Sequence, residues 1–132
     1  MGVTWIFRGP ILVVKLAGSY RLEEMQQVTD AALASPERPA TVGLLIDARE
    51  SLANPELPEI EQRAFWLAAL PGAGVLPRFA TITSPERFRY GLTRMLEALV
   101  SSRGCELRIF TGYDEAVAWL WSLLQSPSSS RE

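Results

Sequence analysis

The chain has 132 residues, of which 48% are hydrophobic and 21% charged, and its formal net charge is −2 at pH 7. This length and composition predict one globular domain and exclude an intrinsically disordered chain. The small negative charge argues against nucleic acid as a partner. The longest apolar runs fall well short of the ~20 residues that cross a bilayer, so no membrane span is predicted.

The numbers of cysteine and histidine residues indicate the redox compartment of the protein and restrict the reactions that it can catalyse. Cys105 is the single cysteine, so no internal disulfide is possible and a reducing compartment is predicted. The first residues lack a basic segment followed by a long apolar run, so we expect no targeting segment and a cytoplasmic protein. The chain has no histidine, which removes the commonest general base and metal ligand. We therefore predict no metal, no cofactor and no catalytic centre.

The first third of the chain is predicted to form two strands, a helix and a third strand. Apolar runs at 4–7 and 11–16 flank Arg8-Gly9-Pro10, and Gly-Pro between such runs predicts the turn of an antiparallel hairpin. Apolar residues then recur at helical spacing from 22 to 33, before a proline that ends the helix. The continuous apolar run 42–46 predicts a strand that is covered on both faces.

Three helices alternate with two strands in the remaining chain. Prolines at 55 and 58 predict the first turn of a helix that ends near Leu70, and strands are predicted at 79–83 and 106–110. Ser84-Pro85-Glu86 is typical of a helix start. The last helix follows Gly112 and ends near 124. The buried stripe of the third helix is predicted to be Phe88, Leu92, Met95, Leu96 and Leu99.

The predicted order is therefore β-β-α-β-α-β-α-β-α. Strand–helix alternation favours an α/β fold, with a mixed, mostly parallel sheet of about five strands, an N-terminal antiparallel hairpin and four main helices. Residues 1–125 are predicted to form a single domain, and the polar residues 126–132 a flexible tail. The face of the sheet that each helix covers stays open, and a reversal in the direction of strand addition would place helices on both sides.

Two features stand out as candidate binding residues. Asp47 and Arg49 follow the buried third strand, and the carboxyl ends of strands are where open α/β sheets meet ligands; local pairing of the two is the structural alternative. Phe65 and Trp66 lie in a helix whose C-terminal half is apolar nearly all round. Either this helix is buried on all sides, or one of the two aromatic rings faces outward and marks a contact surface.

The chain resembles the STAS-type, SpoIIAA-like family. The resemblance covers nearly the whole chain, and its most telling segments are Leu45-Ile46-Asp47-Ala48-Arg49, then Tyr90-Gly91-Leu92-Thr93-Arg94-Met95, and then Ile109-Phe110 with Glu115-Ala116 and Trp119-Leu120. It implies a SpoIIAA-like fold. Arg94 is a further candidate binding residue: it lies among arginines and glutamates that alternate between 78 and 108, for which a solvated face and a phosphate- or acid-binding patch are the alternatives. The closer match is to a branch of small bacterial proteins without an assigned role, whose fold is also similar to CRAL-TRIO lipid-transfer domains.

The anti-sigma-factor antagonists of this family are switched by phosphorylation of a Ser or Thr at the start of the helix after the third strand. At the matching place this chain has Asn54-Pro55-Glu56-Leu57-Pro58, and Ser51 lies too early in the loop. The resemblance therefore implies a STAS-like module that is not of the phosphorylated antagonist type.

Three functions are compatible with these residues. The first is a non-enzymatic interaction or regulatory module with a protein partner or itself, as a homodimer, through the surface 49–70. The second is a carrier or sensor of a small apolar, lipid-like ligand held between that helix and the sheet. The third and weakest is an acid–base enzyme that uses Glu56 or Glu59 with Arg49. An internal apolar pocket would favour the ligand, and a flat apolar patch the dimer.

Overall fold

Five strands form one mixed sheet in the computed structural model, which describes residues 2–125. β1 pairs antiparallel with β2, and every other neighbouring pair is parallel. The predicted mixed sheet with an N-terminal hairpin is confirmed, and the predicted tail 126–132 lies outside the described residues. The strands follow one another across the sheet in chain order: β1 (Val3–Arg8), β2 (Ile11–Gly18), β3 (Gly43–Ser51), β4 (Arg78–Thr83) and β5 (Glu106–Phe110).

Four helices cover the two faces of this sheet unequally. They are α1 (Leu22–Leu33), α2 (Leu57–Ala69), α3 (Arg87–Ser101) and α4 (Tyr113–Leu124). α1, α2 and α3 each connect one parallel strand to the next, and each new strand is added in the same direction across the sheet. Because such crossover connections are right-handed, the three helices lie on the same face of the sheet. The fourth follows the last strand and packs on the opposite face. Within residues 2–125, none of the helices combines the length and apolar character needed to span a bilayer.

Alternate residues of β3 belong to different cores, as the two-residue repeat of a strand requires. Leu44 and Ile46 pack into the core beneath α1, α2 and α3, whereas Leu45 packs against α4. The same alternation carries Asp47 towards the α4 side and Ala48 towards the side of the first three helices. These two adjacent positions therefore serve different surfaces of the protein.

β3 is longer than its apolar run predicts. It continues to Ser51, because its polar second half still pairs with β2: Lys15 lies opposite Asp47, and Ala17 lies opposite Glu50 beyond a shift in register. The change from apolar to polar residues shows where the buried part of β3 ends, but the backbone pairing of β3 with β2 continues beyond it to Ser51.

The buried stripe predicted for α3 is only partly right. Phe88 and Met95 are 57% and 41% exposed, and Val100 is the fully buried residue of the helix. Leu92 and Leu96, which were also predicted to be core, instead line an open space above the sheet. α3 therefore packs closely only near its C-terminal end, and its N-terminal half forms the wall of a cavity.

Candidate functional site

An apolar cavity lies between the sheet and helices α2 and α3, near the carboxyl ends of β2, β3 and β4. The volume of this cavity that water molecules can enter, measured at their centres, is about 80 Å³. One water needs about 10–15 Å³ by this measure, so the space corresponds to roughly five to eight waters or a short alkyl chain. Its apolar walls include Leu16, Met25, Ile46, Trp66, Leu67 and Leu96.

Part of the cavity lining is polar. Tyr20 and Ser51 line it, and their hydroxyl oxygens lie 2.9 Å apart in a hydrogen bond. Thr93 donates to the backbone carbonyl of Arg89 across 2.9 Å, which satisfies its hydroxyl within its own helix. Arg63 from α2 and Arg89 from α3 complete the lining with two guanidinium groups. Most of the cavity wall is therefore apolar, and its polar members include hydroxyl groups and two arginines that are each paired with a glutamate.

Arg63 is the least expected member of this lining. It is 8% exposed, its Nη2 donates to the Glu59 carboxylate across 2.9 Å, and its guanidinium carbon lies 5.4 Å from the centre of the Tyr20 ring. The burial of Arg63 is nevertheless indicated by the helical spacing of its apolar neighbours. Ile60, Ala64 and Leu67 mark the buried face of α2, and an arginine at 63 falls on that face.

The two neighbouring aromatic residues of α2 point to different environments. Trp66 is half-buried, packs against the core and lines the cavity. Phe65 is 63% exposed, and its ring lies 5.0 Å from the guanidinium carbon of Arg103. The alternative in which one ring faces outward therefore describes this helix, and the outward ring is that of Phe65.

Asp47 and Arg49 form a separate cluster on the α4 side of the sheet. The Arg49 Nε and Nη2 donate to the two carboxylate oxygens of Asp47 across 2.9 and 2.7 Å. Burial acting alone would raise the pKa of Asp47, but the hydrogen bonds and charge of Arg49, together with the charge of Lys15, outweigh it and lower the pKa. The guanidinium carbon of Arg49 also lies 5.8 Å from the centre of the Tyr113 ring. This geometry links β3 to the first residue of α4.

The lowered pKa of Asp47 predicts a pH-dependent contribution to stability. The contribution is present above the ordinary carboxyl pKa and is lost as the pH falls through the lower pKa of the folded state. Since the Arg49 partner is half-exposed, we expect Asp47→Asn to cost only about 1–2 kcal/mol at pH 7. Urea unfolding of both proteins at pH 7, 5 and 3 should show this difference shrinking below about pH 4. A difference of equal size at pH 3 would contradict the assignment.

Several predicted groupings do not meet in the structure. Arg94 lies on the exposed side of α3, where its Nε is 2.8 Å from a carboxylate oxygen of Glu97. Arg49 pairs with Asp47, and Glu59 pairs with Arg63, so Arg49 and Glu59 form no acid–base pair. Of the predicted binding residues, only Trp66 lines the cavity. In the described part of the chain, no group of three or more carboxylate or thiol side chains is placed to hold a metal ion.

Comparison with known proteins identifies the fold. No protein-family model matches the sequence, and no curated protein matches it either. Among solved structures, it is similar to an uncharacterized protein of the DUF3478 family with a SpoIIAA-like fold from Shewanella loihica PV-4. The two chains are 21% identical, with a TM-score of 0.57 over 89% of this chain and 91% of the other. At this identity the similarity extends to the fold alone.

Proposed function

We propose that this chain, which has a SpoIIAA-like STAS fold, is a non-enzymatic binding module that holds a small apolar molecule in the cavity between α2, α3 and the sheet. The observation that carries this proposal is the apolar cavity itself. The cavity is partly open to solvent, so its apolar walls face water and lack the contacts that a packed interior or a ligand would supply. A molecule that fills the space recovers those contacts.

The character of the lining supports this proposal over an enzymatic role. Ligand sites are mostly apolar, with a few polar groups that fix orientation, and the walls described above have this composition. Ser51 is 7% exposed and already bonded to Tyr20, which supports the inference that it is not a phosphorylation switch. The single cysteine excludes an internal disulfide, and this supports our proposal of a cytoplasmic site of action.

Filling the cavity from within tests this function. Ala48 lines it from the middle of the sheet, and Ala48→Leu adds three carbon atoms to that wall. We expect this variant to fold and to bind 1-octanol at least about tenfold more weakly than the unmodified protein, because its side chain occupies the ligand's volume. Titration followed by ¹H–¹⁵N NMR measures the affinity, and the indole N–H resonance of Trp66 reports from the cavity wall.

Ala118→Leu is the matched control. Ala118 is exposed on α4, across the sheet from the cavity, so the same added volume should leave the affinity for 1-octanol within about threefold. An unmodified protein whose Trp66 resonance does not respond to saturating 1-octanol would remove the basis for the proposal. Equal weakening by both leucine variants would place the bound alcohol elsewhere.

A second candidate function rests on Phe65. A 63% exposed phenylalanine on a helix surface is typical of a contact residue, and its neighbour Arg103 adds a cation of the kind that is enriched at interfaces. We propose that this surface mediates contact with a protein partner or with a second copy of the chain. Sedimentation velocity of the unmodified protein and of Phe65→Gln tests the homodimer, which should shift towards monomer in the variant.

A further inference from the structure

We propose that β1 is a contact edge for a second copy of this chain, in which the two β1 strands pair antiparallel about a two-fold axis at Trp5 and the two sheets become continuous. In the described part of the chain, β1 and β5 each pair with another strand on one side only. No residue of β1 lines the cavity, and Phe65 lies on α2, so this edge is separate from both surfaces discussed above.

The backbone of β1 has hydrogen-bonding groups that point away from the sheet. In an antiparallel pair, alternate residues direct their N–H and C=O groups towards the neighbouring strand and away from it. The amide of Ala17 donates to the carbonyl of Gly2 across 2.7 Å, and the unbroken register with β2 repeats this pairing at every second residue. The N–H and C=O groups of Val3, Trp5 and Phe7 therefore point outward, and nothing else in the described residues hydrogen-bonds to them.

β1 lacks the features that usually keep an edge strand unpaired. Such strands carry charges, prolines or bulges that prevent another strand from pairing with them. From Val3 to Phe7, β1 has no charged residue and no proline, and its register with β2 has no shift. Its Trp5 and Ile6 side chains are 37% and 57% exposed on opposite faces. The other edge strand, β5, carries a glutamate and an arginine. The β1 edge is therefore complementary to another extended strand.

The residue order of β1 suits pairing with itself. When Trp5 lies opposite the partner's Trp5, Val3 lies opposite the partner's Phe7, and all the outward-directed groups named above are paired. Arg8 is the one charged residue of β1, and in this register it lies opposite the partner's Gly2. The two Arg8 side chains then lie at opposite ends of the junction. No like charges of the two strands face each other, which is the charge pattern that a stable antiparallel pair needs.

The helix layer leaves room for this junction. α1 packs against β1 and β2, so its axis lies about one strand spacing, or about 4.8 Å, from the two-fold axis. The two copies of α1 therefore run about 10 Å apart, an ordinary distance for packed helices. On the same face, Trp5 and Phe7 form an edge-to-face pair with ring centres 5.7 Å apart. These rings supply apolar surface for the junction to bury.

Charged substitutions of Trp5 test the pairing and its register together. Because Trp5 lies opposite the partner's Trp5, Trp5→Lys and Trp5→Glu should each set like charges face to face and weaken the dimer at least about tenfold. An equimolar mixture of the two variants should form a heterodimer at least about fivefold tighter than either homodimer. Sedimentation velocity over a concentration series measures these dissociation constants. A mixture that binds no more tightly than the separate variants would overturn the proposal.

Tyr90→Lys is the matched control. Tyr90 is an aromatic residue of similar exposure, 39%, on α3, which packs on β4 and β5 at the other side of the sheet. This variant should keep the dissociation constant of the dimer within about threefold. An unmodified protein that stays monomeric at 1 mM would overturn the proposal. A dimer that both Trp5 variants retain and that Phe65→Gln dissociates would place the contact on α2 and overturn it as well.

Amide hydrogen exchange in the unmodified protein is a second measurement that does not depend on the folding of any variant. The N–H groups of Trp5 and Phe7 should exchange slowly at 1 mM, where the dimer forms, and rapidly on dilution. The N–H groups of Thr4 and Ile6 are directed towards β2 and should stay protected at both concentrations. Rapid exchange of the Trp5 and Phe7 amides at every concentration up to 1 mM would show that no strand pairs with this edge.

Discussion

Leu67→Ala is expected to lower the free energy of unfolding by about 2–5 kcal/mol, whereas Phe65→Gln should change it by no more than about 0.5 kcal/mol. The two residues are close neighbours on α2 with opposite environments. Leu67 is 1% exposed and packs into the core beneath the first three helices, and Phe65 is 63% exposed. Removing three buried carbon atoms loses both their transfer free energy and their packing contacts.

Urea unfolding monitored by circular dichroism measures both changes. Leu67→Ala separates the effect of burial from that of helix propensity. Alanine is the better helix former, so propensity alone would make this variant more stable. A large loss in Phe65→Gln would mean that this ring belongs to the core, and the proposed contact surface on α2 would not exist. A small loss in Leu67→Ala would contradict the packing of α2 on the sheet.

Trp66→Ala is expected to produce the second large effect, a loss of about 2–4 kcal/mol together with a change in ligand preference. The loss is placed below the top of the range for buried tryptophan because this ring is only half-buried. Removing it from the cavity wall enlarges the space, and engineered apolar cavities accept ligands that fit the new volume. We therefore expect 1-decanol to gain affinity relative to 1-octanol.

Thermal melts with and without each alcohol give both quantities, because a ligand that binds only the folded state raises its stability by an amount set by concentration and affinity. Trp121→Ala serves as the control: Trp121 is 41% exposed on α4 and does not line the cavity. It should leave the relative effects of the two alcohols unchanged. An unaltered preference in Trp66→Ala would contradict the position of the indole in the ligand site.

The sequence predicted the fold more fully than it predicted the site. The strand predicted at 106–110 coincides with β5, because polar and apolar residues alternate from Glu106 to Ile109 and glycines at 104 and 112 limit the segment. The prediction for α3 was less accurate, since Phe88 has the spacing of a buried residue but is exposed. Helical periodicity shows which side of a helix faces inward, but it does not show how closely that side approaches the sheet.

The cavity lay beyond the reach of sequence patterns for the same reason. Its volume depends on how far α2 and α3 lie from the sheet, and this distance is set by the packing of side chains from several elements. Asp47 and Trp66 were both predicted to be binding residues, yet alternation along β3 directs Asp47 to the face opposite the cavity. Arg63 was detectable in principle, as a charged residue on an apolar helix face.

A crystal structure of the unmodified protein grown with 1-octanol tests the central claim most directly. It should contain an alkyl chain in the cavity, between Trp66 and the sheet. Such density would establish both the occupied cavity and the orientation of its ligand. An empty cavity, with 1-octanol bound only on the Phe65 surface or nowhere, would contradict the account.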